Sequence, residues 1–368
     1  MLGVHLPFWP KWLEARGLTK IQIGVVGTAW AWSRCVASPT WAHFVDQSGR
    51  RRGWIQAFAL ASLALFAPFV LLDDFDSLVG LTIVFCIAHA ALLPLGENLI
   101  VLNAREHGIA YGRVRVWGSV AFVVASWIAG AALDGGNEER AYALVMACLA
   151  AGAAASFWLP AESRSAPPPR QGIPIRRVLS DRRVLAVLAG AGILQAGHAT
   201  YYVFASLHWS AAGHSTTTIS ALWSEGVIAE SLLFAFSQRL AARWHDRGLV
   251  LAAVVGSLVR WSVLATTTSL PWLFGVQWMH GLTFAAAHVG VMAFLSRAVP
   301  REFSATAQSV YGTMNIAAHA LTLMLVTPIF DRAAGAAFWP GIPIAVLGGA
   351  ITMWGMAERR DSMPAPAE

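Results

Sequence analysis

Six charged residues, Arg34, Glu97, Arg115, Glu225, Glu230 and Arg260, stand inside long apolar runs of the chain. If those runs cross a bilayer, each charge costs roughly 2.5–3.5 kcal/mol at mid-depth on insertion scales, so a functional reason and a partner are expected. The chemistry they offer is of two kinds. A guanidinium matches a carboxylate at two points, which makes Arg34 and Arg115 candidates for holding an anionic solute. A carboxyl shielded from water takes up and releases a proton, which makes Glu230, and less directly Glu225, candidates for proton coupling. The two glutamates are five residues apart, about 140° around a helix, so they cannot both face one cavity squarely. Arg34, Glu230 and Arg260 fall near the middle of their runs. Glu97 and Arg115 lie at similar depth on neighbouring runs and are expected to form a pair that faces the transport cavity, a purely structural ion pair being the alternative, whereas Arg113 sits at the lip, where its stem can reach water. Arg260 is equally compatible with tying helices together.

Neutral polar and aromatic residues complete the candidate set. His198 with Tyr201 and Tyr202 forms a polar-aromatic cluster, and a neutral imidazole can relay a proton or bond a ligand. His280 and His288 are eight apart, roughly on one helix face. Phe8, Trp12, Trp30, Tyr202 and Trp223 are candidates to stack an aromatic solute, the other aromatics being expected as packing or interfacial residues. No His pair with a carboxylate at i, i+4 suggests a metal, and Cys35, Cys86 and Cys148 show neither metal nor disulfide spacing, so they read as small buried packing residues. GxGxxG after a strand, GxxxxGK[ST], GxSxG and HExxH are all missing from the sequence, so no nucleotide cofactor, ATP coupling or catalytic residue is expected.

The elements that must hold these residues follow from composition. Of 368 residues, 57% are hydrophobic and 12% charged, and the mean hydropathy is +0.56. A soluble chain carries about 25% charged residues; half of that cannot coat a water-facing surface, which excludes an ordinary soluble enzyme and a disordered chain. The net charge of +6 is spread between apolar blocks rather than gathered on one face with aromatics, so nucleic acid is not the expected partner. The apolar blocks read as membrane helices over 1–16, 21–45, 54–72, 77–103, 111–133, 140–160, 184–210, 217–240, 248–268, 271–296, 304–330 and 337–357. The first of these, with Pro7 and Pro10, is too short for a bilayer core and reads as a helix truncated at its N-terminus.

Residues 161–183, with Pro167, Pro168, Pro169, Pro174 and six arginines, read as a polar linker between an N-terminal six-helix bundle, 1–160, and a C-terminal one, 184–357, followed by a tail at 358–368. Two equivalent halves are expected, and overlaying them places Arg34 and Glu230 on pseudo-equivalent helices. With the linker in the cytoplasm, 17 Lys and Arg residues fall on the cytoplasmic side and 5 on the other, a strong positive-inside bias that also puts both termini in the cytoplasm.

AHFVDQSGRRR, between the second and third spans, is similar to the loop motif of the major facilitator superfamily: it keeps Asp46, Gly49, Arg50 and Arg51 but has Ala42 where a glycine is usual. GVHLPFWPKWLEARGL at the start, YGRVRVWGSVAFV at 111–123, GHATYYVFASLHWSAAGHS at 197–215, LWSEGVIAE at 222–230, VRWSVLATTTSLPWL at 259–273 and QWMHGLTFAAAH at 277–288 together resemble the 3-phenylpropionate (hydrocinnamate) permease group, close to the oligosaccharide:proton symporters. The resemblance implies an all-α, twelve-helix fold in two six-helix bundles with a solute cavity between them. It implies a monomeric carrier of the bacterial inner membrane and a gating role for the loop motif. In the lactose permeases of this kind, a glutamate on helix 4 and an arginine on helix 5 bind substrate; PLGE ending at Glu97 and YGRVR ending at Arg115 match those positions, and Gly118 matches the glycine that follows. Helix 10 carries His280 and His288 but no carboxylate, a departure from the sugar permeases that leaves Glu230 as the expected proton site.

The function expected is electroneutral symport of a proton with an aromatic monocarboxylate such as 3-phenylpropionate. Arg34 or Arg115 would pair with the carboxylate, with Glu97, His198, Tyr202 and Trp223 completing the substrate site. A sugar or nucleoside symporter of the same fold is the nearest alternative. A non-transporting membrane sensor, a multidrug exporter (whose late glycine- and proline-rich helix-5 motif is missing from 119–133) and a membrane-embedded enzyme follow in that order.

Overall fold

The computed structural model describes residues 1–107, 111–160, 175–300 and 303–357. Among those residues the side chains at position 46 and a few others are not described. They form sixteen α-helices and no strand. In chain order these are α1 (Leu2–Ala15), α2 (Lys20–Ser48), α3 (Arg51–Phe66), α4 (Phe75–His89), α5 (Leu92–His107), α6 (Tyr111–Leu133), α7 (Glu139–Ser156), α8 (Ile175–Ser180), α9 (Arg182–Ala196), α10 (His198–Ala211), α11 (Thr216–Ala235), α12 (Ser237–Thr266), α13 (Leu270–Gln277), α14 (Ala287–Ala298), α15 (Ser304–Arg332) and α16 (Gly341–Ala357).

Local chemistry explains where several of them begin. At the start of α2 the Thr19 hydroxyl accepts from the Gln22 amide, and the Gln22 side-chain carbonyl accepts from the Thr19 amide at 2.9 Å. This reciprocal cap satisfies two backbone donors that a helix end leaves open. Asp74, Asp181 and Ser215 cap α4, α9 and α11 in the simpler way, each accepting backbone N–H groups of the first turn. Gly49, at φ 67°, ends α2 in the left-handed conformation that costs a glycine little. His245 is the one non-glycine residue at positive φ, 54°, among those described. It breaks α12 between a short polar segment and its apolar span.

Each expected span lands on helical residues. Eight stretches are long and apolar enough to cross a membrane: Arg51–Leu71, Phe75–Ile100, Arg113–Leu133, Arg182–Ala211, Ser237–Thr266, Leu270–Ala298, Thr306–Arg332 and Ala334–Ala357. The other four expected spans, on α1, α2, α7 and α11, are helical but fall short of that length or apolarity, and α2 and α11 do so while carrying Arg34, Glu225 and Glu230. Trp117, Leu321 and Leu347 are 71%, 57% and 56% exposed; such broad apolar exposure suits a lipid surface and not water. Most of the linker expected at 161–183 and the whole tail at 358–368 lie outside the described residues.

The halves of the molecule meet along α2 against α15 and α6 against α11. Small residues set the separation there. A Cβ on Gly24 would lie 2.2 Å from the Thr327 hydroxyl, and one on Gly130 would lie 2.2 Å from the Ser220 hydroxyl. The Thr216 hydroxyl donates to the Gly130 carbonyl at 2.7 Å, and that of Ser220 donates to the Ser126 carbonyl at 2.6 Å. Such contacts substitute for the hydrophobic effect, which cannot drive helices together in lipid. They lie at the arginine-poor end of the molecule, opposite the loops rich in arginine. At the same end Arg16 pairs with Asp73 at 2.6 Å and with Glu139 at 3.0 Å, which ties the end of α1 to the starts of α4 and α7. The molecule is therefore closed at its arginine-poor end.

Candidate functional site

Two cavities lie between the halves. The first, about 280 Å³, is bounded by α1, α2, α10 and α15, and Arg34 is the charged residue in its wall. Its lining is otherwise apolar and aromatic, including Trp9, Leu13, Val26, Trp30 and Leu323, with His5, Asn315 and His319 as polar members. The second, about 520 Å³, is bounded by α1, α4, α5, α6, α10, α11 and His280 between α13 and α14, and its lining includes His89, Arg115, Glu230, Tyr201 and Trp223. Leu6 and Tyr202 line both, so these two side chains partition one central space.

Arg34 projects from the middle of α2 and makes no hydrogen bond or ion pair among the described residues. The groups that feel its charge are His5, His89, His319 and the Cys86 thiol, none of them a carboxylate. A guanidinium in an apolar cavity without an anion is a site lacking its counter-charge. His5 stacks on Trp30 with ring centres 4.5 Å apart, and both of its ring nitrogens are buried without a hydrogen-bond partner among the described residues.

The second cavity is electrically different. Arg115 pairs with Glu97 at 3.2 Å, so its charge is already met by the partner the sequence suggested. Glu230 lies 3.5 Å from His280 Nε2. Behind it Arg260, fully buried, donates to His280 Nδ1 at 3.0 Å, to the Gln277 side-chain carbonyl at 3.0 Å and to the Thr283 hydroxyl at 3.3 Å. Its guanidinium also sits 4.4 Å from the centre of the Tyr201 ring. Because a guanidinium only donates, the Arg260 bond makes His280 Nδ1 an acceptor and leaves the ring proton on Nε2, facing Glu230. His288 is close enough to Glu230 to interact with its charge.

The π-turn Gly281–Ala286 stands between α13 and α14. It shifts helical phase within a span, a feature often found at functional sites, and it carries Thr283 into this network. The sequence reading had no signal for it, because no residue pattern marks an i to i+5 turn.

Arg34 and Trp30 lie at the first cavity; Arg115, Glu230 and Trp223 at the second; Tyr202 at both. Arg34 and Glu230, expected to face one space from pseudo-equivalent helices, are in different compartments. Glu97 meets the second cavity through Arg115. His198 lines neither cavity: it is fully buried, its Nδ1 donating to the Gln195 carbonyl at 2.9 Å and its Nε2 accepting from Thr283 at 3.0 Å. Glu225 also lines neither, and one of its carboxylate oxygens is buried without a partner among the described residues. Phe8 and Trp12, expected as stacking residues, are packed in the core, with Trp12 Nε1 donating to Glu139 at 3.2 Å. Cys86 is buried as expected, while Cys35 and Cys148 are half-buried, and all three are free. In the loop motif, Gly49 and Arg50 form the turn between α2 and α3, Arg51 opens α3, and the side chain of Asp46 lies outside the described residues. Asn315 was not selected from the sequence, and His5 and His319 stood there only among the histidines of the apolar runs, for which packing is the commoner role. Their one visible signal was polarity inside an apolar run.

Comparison with known proteins is consistent along the chain. The MFS_1 like family matches residues 1–321. The chain is 31% identical over 303 residues to a probable 3-phenylpropionic acid transporter of Escherichia coli (strain K12), covering 80% of this chain and 78% of that protein. It is 25% identical over 280 residues to the maltose permease of Geobacillus stearothermophilus, covering 76% and 71%. The structure of the nucleoside transporter NupG superposes with a TM-score of 0.81 at 14% identity, covering 96% of this chain and 94% of that one, and so shares the fold. The polar network between two helical halves is thus set in a multi-pass membrane transport protein, not an enzyme, and the chain belongs to the MFS_1 like family of the major facilitator superfamily.

Proposed function

We propose that the protein is a proton symporter of an aromatic monocarboxylate such as 3-phenylpropionate, working by alternating access. The observation that carries this reading is Arg34: a guanidinium without an anion, in the wall of an otherwise apolar and aromatic cavity. A carboxylate supplies the missing charge in a two-point geometry, and the ring of the solute rests against Trp9, Trp30 and Leu323. The volume of about 280 Å³ is at the small end of ligand pockets, which run from about 300 to 1,000 Å³, and suits a single-ring acid better than a disaccharide. The resemblance to a probable 3-phenylpropionic acid transporter supports the same solute class.

Glu230 is the proton carrier in this reading. His280 Nε2–H faces it, and it opens onto the larger cavity beside Tyr202. One proton on Glu230 with one carboxylate on Arg34 moves no net charge. The arginine-rich end faces the cytoplasm, so the closed arginine-poor end faces outward and the structure represents a state shut to the outside. The carrier works as a monomer with both termini inside.

A neutral sugar or nucleoside is the second reading. It is favoured by the larger cavity, where Arg115 is already neutralised by Glu97 and the walls offer polar aromatic groups. The two readings separate in proteoliposomes supplied with labelled 3-phenylpropionate. An interior made alkaline is expected to drive accumulation above the external concentration, and Glu230→Gln is expected to abolish accumulation while retaining counterflow. Uptake indifferent to the pH gradient contradicts symport, and undiminished accumulation by Glu230→Gln removes that residue from the coupling.

A further inference from the structure

We propose that the solute held in the smaller cavity carries a hydroxyl group on its ring in addition to its carboxylate. This rests on the reading above, in which that cavity holds an aromatic acid on Arg34, and goes beyond it by assigning a second polar anchor on the opposite half of the molecule.

The anchor is His319, on α15, which lines the cavity together with Arg34 of α2. Its Nδ1 lies 2.8 Å from the Asn315 carbonyl oxygen. A carbonyl only accepts, so Nδ1 carries the proton, and in the neutral ring Nε2 is left as a lone-pair acceptor. Stacking against Tyr202, with rings 6.0 Å apart and only 10° from parallel, fixes the plane of that acceptor. An acceptor cannot bond a carboxylate, which has no proton to give. It bonds an O–H.

Arg34 is thus matched to the anionic end of the solute, and the His319 imidazole to a group that an unsubstituted phenyl ring lacks. A solute with both groups also bridges α2 in the first half to α15 in the second. A site whose polar groups are left unpaired by an analogue discriminates against it strongly.

The test is equilibrium binding to the purified full chain, read by quenching of its tryptophan fluorescence, since Trp9 and Trp30 line the cavity. The probes are 3-phenylpropionate, its three ring-hydroxylated isomers and the three matching methoxy compounds. At least one hydroxylated isomer is expected to bind about tenfold tighter than 3-phenylpropionate or more. Its methoxy counterpart, which keeps an oxygen but has no proton to donate, is expected to lose that advantage. In His319→Phe the ratio between the favoured isomer and 3-phenylpropionate is expected to fall to within about twofold, and in His319→Gln, which restores an acceptor, part of the ratio is expected to return. Equal binding of hydroxylated and unsubstituted acids by the wild-type chain overturns the proposal, as does a preference that methoxy compounds share. The ligand series needs no variant, so a misfolded His319→Phe does not stop the test. Failure of every acid to bind instead overturns the carboxylate reading of the cavity itself.

Discussion

Arg115, Arg260 and Arg34 are set in the apolar spans, and each has its charge met differently. Arg115 has a carboxylate partner, Glu97. Arg260 has three neutral acceptors and an aromatic face. Arg34 has neither. Removal should therefore have different consequences. Arg260→Leu strips the partners from His280, Gln277 and Thr283 in a fully buried place, where each unmet polar group costs about 1–3 kcal/mol. It is expected to lower the thermal midpoint in detergent by far more than Arg34→Gln, which a side-by-side melt measures. Glu97→Gln breaks a half-exposed pair with Arg115, whose side chain is 53% exposed. Exposed pairs contribute only about 0–1 kcal/mol, so its stability is expected to stay within that range of wild type. The sequence made these charges legible because each violates the apolarity around it. It did not make their partners legible. The acceptors of Arg260 lie 17–23 residues further along the chain, on and beside a π-turn, and the neighbours of Arg34 come from α1, α4 and α15. His319 became informative only when its bond to Asn315 fixed which nitrogen carries the proton.

The helices were more readily legible than their contacts. Thr19 with Gln22, Asp74, Asp181 and Ser215 are local signals that sit where α2, α4, α9 and α11 begin. The His245 break and the π-turn at Gly281–Ala286 had no such signal, because both depend on what packs around them. Asp74 gives a pH prediction outside the membrane. The Ser77 backbone N–H, with its hydroxyl, holds the Asp74 carboxyl below the ordinary carboxylate range. A depressed folded value means a contribution that is present above the unfolded value and lost as pH falls through the folded one. Asp74→Ala is expected to lower the thermal midpoint at pH 7, and the gap from wild type should close in melts at strongly acidic pH. Gly24 and Gly130 give a prediction about motion. A side chain at either position collides with Thr327 or Ser220 across the halves. Gly24→Val is expected to wedge the arginine-poor end open. Labelling of a cysteine placed at Leu323 by a membrane-impermeant thiol reagent from outside should then be faster than in the parent protein carrying the same cysteine.

The whole molecule joins these levels. Two helical halves touch through small residues at one end, where Arg16, Asp73 and Glu139 also tie α1 to α4 and α7. Between the halves, Leu6 and Tyr202 divide a compartment built around a lone cation from one built around Glu230, His280 and Arg260. In the proposed cycle, rocking about the interface brings this divided space to each side of the membrane in turn, with the solute and the proton held in adjoining compartments. In that cycle Arg34 is the counter-charge of the solute. The most direct measurement is equilibrium binding of labelled 3-phenylpropionate by the wild-type chain and by Arg34→Gln. Losing a hydrogen bond to a charged group costs about 1.5–3 kcal/mol, so Arg34→Gln is predicted to weaken binding by about 10- to 150-fold. Binding by Arg34→Gln as tight as that of the wild-type chain would contradict the account.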